Sequence, residues 1–292
     1  MKLAVLGSGS RGNAVALRAD GVTLLVDAGF GPRALARRAE AAGLPLDPLA
    51  GIVLTHEHGD HARGAAALAV RAGCPLLGTA GTLAAVAPGR ADAQVLPPFG
   101  EALRIGPFTI EAARTSHDAS EPVAIAVTDP QGRRIGVAWD LGRATAAVRH
   151  LLRGVHVLVI EANHDEVLLR TGPYPASVRQ RIGGSTGHLS NRLAAELAAD
   201  VCTPVLEAVI LVHVSEQCND RDVARRAVAP LLRARGFRGR LLVARQEAPL
   251  PALTLRETVQ LRLALPDRPM RAIPPGAALP PPSPPSVPAP TR

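Results

Sequence analysis

The sequence predicts an α/β fold in which two β-sheets pack face to face and helices cover both outer faces, a four-layer αββα sandwich. Short apolar runs rich in Val, Leu and Ile alternate with Ala-rich runs, and strands followed by helices occur twice along the chain. Hydrophobic residues make up 47% of the 292 residues, which is ample for a core, whereas aromatic residues make up only 2%. The core is therefore expected to consist of Ala, Val, Leu and Ile.

The first half of the chain begins with three short strands separated by turns. A helix then ends at Gly43, because glycine readily adopts the conformation that closes a helix. Two more strands and two Ala-rich helices follow. The predicted elements are strands Leu3–Leu6, Ala14–Arg18, Val22–Val26, Gly51–Leu54 and Pro75–Gly78, and helices Arg33–Ala42, Ala62–Arg71 and Gly81–Ala87.

The second half repeats this plan. Asp129-Pro130-Gln131-Gly132 is a turn sequence, so the strands on either side are expected to pair. Ser190 or Asn191 could cap the first helix of this half. The predicted elements are strands Phe108–Ala112, Val123–Thr128, Arg134–Ala138, Val155–Ile160, Ala208–Val212 and Leu241–Ala244, and helices Leu189–Ala199 and Asp220–Ala234.

The composition changes near the C-terminus, where a Pro-rich segment with almost no apolar periodicity begins at Leu265. We predict a disordered or polyproline-like tail there, either a plain solvated extension or a ligand for a proline-recognising partner. The predicted parts are a main domain over residues 1–248, a C-terminal strand or extension over 249–264, and the tail over 265–292.

Charge and cysteine content constrain the partners and the compartment. The net charge of +8 comes almost entirely from arginine and permits a nucleic-acid partner without establishing one. Three widely spaced cysteines fit a reducing compartment better than a disulfide framework. Residues 1–13 do not resemble a signal peptide, and no run of about 18 apolar residues is present. We expect a cytoplasmic protein that does not act at a membrane. The sequence makes no prediction of oligomeric state.

The segment Thr55–His61, Thr-His-Glu-His-Gly-Asp-His, carries the main functional signal. It lies between a predicted buried strand and a predicted helix, so its side chains can converge at a turn. His56 and His58 are two residues apart and would point to the same side of an extended backbone. Asp60 and His61 could face a second point nearby. Imidazole nitrogens and carboxylate oxygens are ligands of zinc-like ions, which favours a metal site over a His-rich surface loop.

Three residues at other strand ends could complete this site. His117 and Asp140 each follow a predicted strand, and His213 ends the apolar run Ala208–Val212. A single His at a strand end is more often structural. Together with the dense cluster, however, these residues supply the roughly seven His and Asp ligands that a two-ion site requires.

The Gly-rich turn over residues 7–13 has two possible interpretations. Such a turn could cradle phosphate. No helix signal follows it, and it matches neither a P-loop nor a dinucleotide fingerprint. We interpret it as a tight turn near the active face.

The order of these motifs resembles the metal-binding pattern of the metallo-β-lactamase fold superfamily. The resemblance implies two divalent ions, zinc or manganese, on the αββα sandwich. It further implies that Asp27 and Glu161 support the ligands without touching the ions. The implied ligands are His56, His58 and His117 for one ion and Asp60, His61 and His213 for the other, with Asp140 bridging them.

Further short segments carry a closer resemblance. They are Leu6–Ser10, Asp27–Gly29, Ser116–Ala119 with Glu121–Pro122, Glu161–Asp165, Arg170–Pro175, Gly187–Asn191 and His213–Glu216 with Asn219. They resemble the YycJ/WalJ-like branch of bacterial metallo-hydrolases, described as 5′→3′ DNA exonucleases. The resemblance runs from about residue 1 to residue 249 and implies DNA as the substrate. Gly59 stands where many members have Ser, and Val212 where Gly is common.

The segment His164–His188 could cover the metals. It carries Arg170, Arg179 and Arg181, which would grip phosphate or form an ordinary Arg-rich surface. Asp60 would orient the attacking nucleophile, and either His188 or His164 could protonate the leaving group. The spacing does not choose between these two histidines.

The sequence also permits other functions. The same metal site could hydrolyse a small thioester, lactone or lactam, although such an enzyme should lack the Arg-bearing cover. A non-catalytic binding module should have an empty metal site. A nonspecific DNA-binding protein should bind with strong salt dependence and without turnover.

Overall fold

The computed structural model describes residues 1–255, which contain two seven-stranded sheets with helices outside them. The strands are β1 (Lys2–Gly7), β2 (Ala14–Ala19), β3 (Val22–Val26), β4 (Leu49–Val53), β5 (Leu76–Gly78), β6 (Gln94–Val95), β7 (Ala102–Ile105), β8 (Phe108–Arg114), β9 (Val123–Thr128), β10 (Arg134–Ala138), β11 (Val157–Glu161), β12 (Ala208–Val212), β13 (Arg240–Val243) and β14 (Leu253–Thr254). The helices are α1 (Pro32–Ala41), α2 (Gly59–Ala62), α3 (Ala65–Ala72), α4 (Ala80–Val86), α5 (Ala146–Leu151), α6 (Glu166–Thr171), α7 (Ala176–Ile182), α8 (Asn191–Val201) and α9 (Arg221–Ala234). Over this range, every helix is too short or too polar to cross a bilayer.

The two sheets follow one plan, which explains why strands and helices alternate twice in the sequence. In the first sheet β1, β2 and β3 pair antiparallel, whereas β3 to β6 pair parallel. In the second sheet β7 to β10 pair antiparallel, whereas β10 to β13 pair parallel. β14 joins the first sheet beside β1, with Leu253 opposite Leu3. The parallel strands bring their carboxyl ends to a common sheet edge, where site residues can gather.

Alternation along β12 shows how the layers are built. Ala208, Ile210 and Val212 belong to the apolar cluster between the two sheets. Val209 and Leu211 belong to the cluster between the second sheet and its helices. Both faces of the strand are buried, which explains why its sequence is one continuous apolar run. A third cluster lies between the first sheet and its helices. The predicted four-layer αββα fold is therefore confirmed.

The predicted helix Ala62–Arg71 is confirmed from Ala65 onward, but its predicted start is wrong, because the structure divides this segment at Gly64. α2 ends at Ala62 and α3 begins at Ala65. The backbone amide of Gly64 donates to the carbonyl oxygen of Ala28 over 2.8 Å. A Cβ at Gly64 would lie 1.9 Å from the carbonyl oxygen of Phe30, so only glycine fits this close approach. Ser190 is the helix cap, since it accepts a hydrogen bond from the third residue of α8.

The C-terminal predictions fall partly outside the described residues. β14 lies within the predicted extension over 249–264. The rest of that extension from residue 256 and the whole predicted tail over 265–292 are outside the described range. The boundary at residue 248 stays a prediction.

Candidate metal centre

The predicted ligands meet at one edge of the sandwich, at the carboxyl ends of strands. β4 leads into the segment Thr55–His61, and β12 delivers His213. Asp27, Asp140 and His213 follow β3, β10 and β12 and have φ angles of 57°, 55° and 52°. A positive φ is strained for residues other than glycine and is common at functional sites. The ends of three strands therefore hold these side chains in unusual backbone conformations.

His56, His58 and His117 form the first cluster, and their candidate ligand atoms lie within 4.8 Å of one another. His58 Nδ1 is 3.3 Å from His117 Nε2. His117 Nδ1 donates to the carbonyl oxygen of Gly187 over 3.1 Å, and His56 Nδ1 contacts the hydroxyl of Thr55 over 3.1 Å. The contacts to Gly187 and Thr55 occupy Nδ1 of His117 and Nδ1 of His56, which leaves Nε2 of each ring available to a cation.

Asp60, His61 and His213 form the second cluster, and their candidate ligand atoms also lie within 4.8 Å of one another. Asp60 Oδ2 lies 3.4 Å from His61 Nε2 and 3.3 Å from His213 Nε2. His61 Nδ1 donates to Asp27 over 2.7 Å, which leaves its Nε2 for the cluster. Asp27 also accepts hydrogen bonds from the amide and the hydroxyl of Thr55 over 2.7 and 2.6 Å. These contacts agree with the expectation that Asp27 steadies the motif loop.

The carboxylate of Asp140 lies between the two clusters. Its Oδ2 is 2.8 Å from His61 Nε2 and 3.8 Å from His56 Nε2. Its Oδ1 is 3.7 Å from His213 Nε2 and 4.0 Å from His117 Nε2. One buried carboxylate is thus within 4.0 Å of imidazoles from both clusters, which is the position that a bridging ligand requires.

Two buried atoms of this group lack hydrogen-bond partners. They are His56 Nε2 and Asp140 Oδ2, whose 2.8 Å approach to His61 does not have hydrogen-bond geometry. A buried polar atom without a partner costs roughly 1–3 kcal/mol or more, and a cation would remove that cost. The donor set of imidazoles and carboxylates is also that of zinc and related ions. The residues present therefore fit a pair of divalent ions.

Glu161, at the end of β11, organises the neighbouring part of the site. Its buried carboxylate accepts hydrogen bonds from His188 Nδ1 over 2.6 Å and from the amides of Leu141 and Leu189 over 3.1 Å each. His188 Nδ1 also lies 3.1 Å from Asp140 Oδ1. Glu161 thus fixes Nδ1 of His188, and the His188 side chain, which is 21% exposed, remains accessible to solvent.

Burial and mutual attraction shift the pKa values of these groups. Burial by itself would raise the pKa of Asp140 and Glu161. Attraction to the surrounding imidazoles nevertheless holds the pKa of Asp140 well below its usual range and lowers that of Glu161 to about 2. Burial opposes protonation of His213, but attraction to Asp140 and other carboxylates raises its pKa to about 9. Burial, followed by repulsion from a neighbouring imidazole, lowers the pKa of His56 well below its usual value, so His56 is neutral. Neutral imidazole is the form that binds metal ions.

The other predicted proton donor, His164, has a different environment from His188. Its side chain is buried, its Nδ1 has no hydrogen-bond partner, and its backbone forms a bridge to Ser190. Burial lowers its pKa. Within residues 1–255, the candidate metal-holding groups include His188 but not His164. The structure therefore brings His188, but not His164, into the polar network around Asp140.

The predicted cover consists of α6, α7 and the loops beside them. Arg181 Nε donates to Asp118 Oδ2 over 2.6 Å, next to His117, which ties the cover to the first cluster. Arg179 donates to the carbonyl oxygen of Tyr174 and so stabilises the cover itself. Arg170 is exposed on α6. Of the three predicted arginines, Arg181 alone contacts a residue next to the centre within residues 1–255.

Two residues of the Gly-rich turn, which is predicted only as a tight turn, belong to the centre. Asn13 Nδ2 lies 3.2 Å from Asp60 Oδ2 and 3.0 Å from His61 Nε2. The hydroxyl of Ser8 donates to Asn13 Oδ1 over 2.7 Å and accepts from the backbone amide of His213 over 2.8 Å. The turn thus contacts all three residues of the second cluster. Polar Ser8 and Asn13 among glycines were the only signal of this role.

Comparison with known proteins gives consistent results. Residues 23–214 match the model of a family described as a beta-lactamase superfamily domain. The chain is 32% identical over 241 residues to exodeoxyribonuclease YycJ of Bacillus anthracis, covering 81% of this chain and 91% of that relative. It is 32% identical over 230 residues to exodeoxyribonuclease WalJ of Streptococcus pneumoniae, covering 76% and 85%. The crystal structure of the metallo-beta-lactamase fold protein YhfI from Bacillus subtilis shares the fold, with a TM-score of 0.63, 18% identity and coverage of 85% and 97%.

Proposed function

The chain belongs to the beta-lactamase superfamily, and on that premise we propose that it is a metal-dependent phosphodiesterase that degrades DNA from the 5′ end. The observation that carries the proposal is the meeting of two His-rich clusters around Asp140. The identity of 32% to two exodeoxyribonucleases over most of the chain supports DNA as the substrate.

We assign one divalent ion to each cluster. Asp140 would contact both ions, because its carboxylate already lies between the clusters. Zinc and manganese both suit this donor set. Bound divalent ions supply Lewis acidity, which activates water near neutral pH and neutralises charge on the phosphate. The ligands would be His56, His58 and His117 for the first ion and Asp60, His61 and His213 for the second.

We assign protonation of the leaving oxygen to His188 rather than to His164. The proton on His188 Nδ1 is held by Glu161, so the opposite nitrogen is the one that can serve the substrate. The anionic Glu161 also stabilises the protonated imidazole. His164 is buried and lacks such a carboxylate contact at its Nδ1, which favours a structural role.

We assign phosphate binding to the arginines of the cover. Arg181 reaches the first cluster through Asp118, and its guanidinium could exchange this carboxylate for a substrate phosphate. Arg170 and Arg179 would contact phosphates farther from the metals. We further propose that the enzyme works in the cytoplasm, where its three free cysteines stay reduced.

The test is to compare three substrates with metal-reconstituted protein: end-labelled duplex DNA, bis-p-nitrophenyl phosphate and a small thioester. We expect release of nucleotides from the 5′ end of DNA, slow hydrolysis of the ester, no thioester hydrolysis, and complete loss of activity in EDTA. Faster thioester turnover would favour the small-molecule hydrolase instead.

The matched variant is His58→Ala, which removes one ligand from the first cluster. His58 is half-buried rather than part of the core, so the variant should stay folded. Full DNA cleavage by this variant would contradict the metal assignment.

A further inference from the structure

One short segment carries most of the net charge of the chain. Arg221–Arg240, which comprises α9 and the loop that follows it, contains seven arginines and one acidic residue, Asp222. It therefore contributes six of the eight net positive charges of the 292 residues. With 33 basic residues in the chain, an even distribution would place only about two in a segment of this length. An Arg-rich composition alone does not explain this concentration.

The arginines of this segment are exposed and mostly unpaired. Arg235 lies 3.8 Å from Asp200. The side chains of the other six form no hydrogen bond or ion pair with any residue of the described range. By contrast, Arg192 on the neighbouring helix α8 pairs with both Glu166 and Glu196. Unpaired guanidinium groups keep their full charge for an external anion.

α9 starts close to the metal centre and runs to the opposite edge of the sandwich. It begins eight residues after His213. A cavity of about 410 Å³, lined by Ser8, Val214 and Arg221 among others, lies between them. The chain then returns in β13, which starts at Arg240 opposite Ala208, the first residue of β12. A helix of 14 residues is about 21 Å long, so it faces roughly six base pairs of duplex.

The arginines of α9 also lie on the outer side of the helix. Ala224, Val228 and Leu232 form its buried face. Arg226 and Arg233 are seven residues apart, which places them on the same outer face about 10 Å from each other. Two such guanidinium groups suit phosphates that recur along a nucleic-acid backbone.

We propose that the seven arginines of Arg221–Arg240 form an accessory surface, the α9 basic surface, that binds the phosphate backbone of the DNA whose end lies in the metal centre. This inference rests on the proposed function, because it extends the same substrate beyond the site of cleavage. The surface would hold the uncleaved duplex and raise the affinity for long substrates without touching the scissile bond.

The α9 basic surface does not suit a membrane. An interfacial helix buries an apolar face in lipid, whereas the apolar face of α9 already packs inside the protein. Leu231, which is 38% exposed, is the one large exposed hydrophobic side chain recorded on α9. Charge complementarity without exposed apolar area favours a polyanion in water.

The test compares two triple variants that each lose three exposed arginines. Arg225→Gln/Arg226→Gln/Arg233→Gln alters the α9 basic surface. Arg33→Gln/Arg37→Gln/Arg71→Gln alters exposed residues of α1 and α3 outside the other sheet and is the matched control. The dissociation constant of a labelled duplex of about 30 base pairs is measured in EDTA over a range of salt concentrations.

The α9 variant is expected to bind at least about tenfold more weakly, with a salt slope reduced by roughly two to three units. The control should bind within about twofold of the wild type. Hydrolysis of bis-p-nitrophenyl phosphate by the reconstituted α9 variant should keep its normal rate, because this ester is too small to reach the surface.

Unchanged DNA affinity in the α9 variant would overturn the inference, and so would an equal loss in both variants. A larger loss of binding to phosphatidylserine vesicles than to DNA would also overturn it, in favour of a membrane. If the wild-type protein cleaves no DNA but the α9 variant alone loses DNA binding, the α9 basic surface is supported and the nuclease function is refuted. The two proposals can therefore fail separately.

Discussion

Glu161 Oε1 lies 2.6 Å from His188 Nδ1, and the same carboxylate oxygen lies 3.4 Å from Nδ1 of His213. One buried anion therefore contacts both the proposed proton donor and a proposed metal ligand. Glu161 and His188 are 27 residues apart in the sequence, and the fold brings the end of β11 against the residues that precede α8. Glu161 therefore connects the proposed proton donor with the proposed metal site.

Glu161→Gln is expected to lower kcat on DNA by roughly 10- to 100-fold, because a charged hydrogen bond worth about 1.5–3 kcal/mol is weakened. Glutamine has nearly the same shape, so the fold and the bound metal content should persist. Initial rates and elemental analysis of the purified variant check both points. An unchanged kcat would remove Glu161 from the mechanism, and loss of metal would assign it to metal retention instead.

Asn13→Ala is expected to weaken binding of one of the two ions by about 10- to 100-fold, because the amide that orients Asp60 is lost. The cluster of His56, His58 and His117 does not contact Asn13 and should keep its ion. Metal content after dialysis should therefore fall from two ions toward one. Retention of both ions with wild-type affinity would contradict this role of the turn.

Thr55→Val is expected to destabilise the fold by roughly 2–4 kcal/mol, because one hydroxyl serves three buried groups. It donates to Asp27 over 2.6 Å, accepts from the indole of Trp139 over 3.1 Å and contacts His56. Thr55→Ser keeps the hydroxyl and is the control. Denaturant unfolding, followed by the fluorescence of Trp139, the single tryptophan, measures both variants. Equal stability of the Val and Ser variants would contradict the argument.

Asp129→Asn should show a pH-dependent loss of stability. Burial raises the pKa of Asp129, but hydrogen bonds from the backbone and side chain of Arg133 outweigh this effect and lower the pKa. The ionised carboxyl therefore stabilises the fold above the unfolded pKa of about 3.9, and this contribution disappears as pH falls through the lower folded pKa.

Urea unfolding at several pH values tests this prediction. The Asn variant should be less stable than the wild type by about 1–2 kcal/mol at pH 7. The difference should shrink as the pH falls below about 4. If the wild type and the Asn variant differ in free energy of unfolding by the same amount at pH 7 and at pH 3, the charge of Asp129 does not contribute to stability.

The fold and the candidate ligands could be predicted from sequence because their signals are local. The continuous apolar run of β12 predicts a strand that is buried on both faces, and the structure confirms it. His56, His58, Asp60 and His61 fall within six residues of one another, so no tertiary information was needed to group them.

The supporting contacts could not be predicted, because each depends on residues brought together by the fold. Asn13 contacts Asp60 across 47 residues, and neither position has a periodic pattern that would pair them. The choice of Arg181 from three arginines depends on Asp118, 63 residues away. The division of the predicted helix at Gly64 depends on the close approach of the backbone at Phe30. The helix propensity of the local sequence contains no information about that contact.

The central claim is that seven side chains hold two divalent ions, and anomalous diffraction from crystals grown with manganese tests it most directly. We predict two anomalous peaks roughly 3.5–4 Å apart, each within about 2.3 Å of its three ligands and both beside Asp140. A single peak, or peaks away from His56, His117 and His213, would contradict the account.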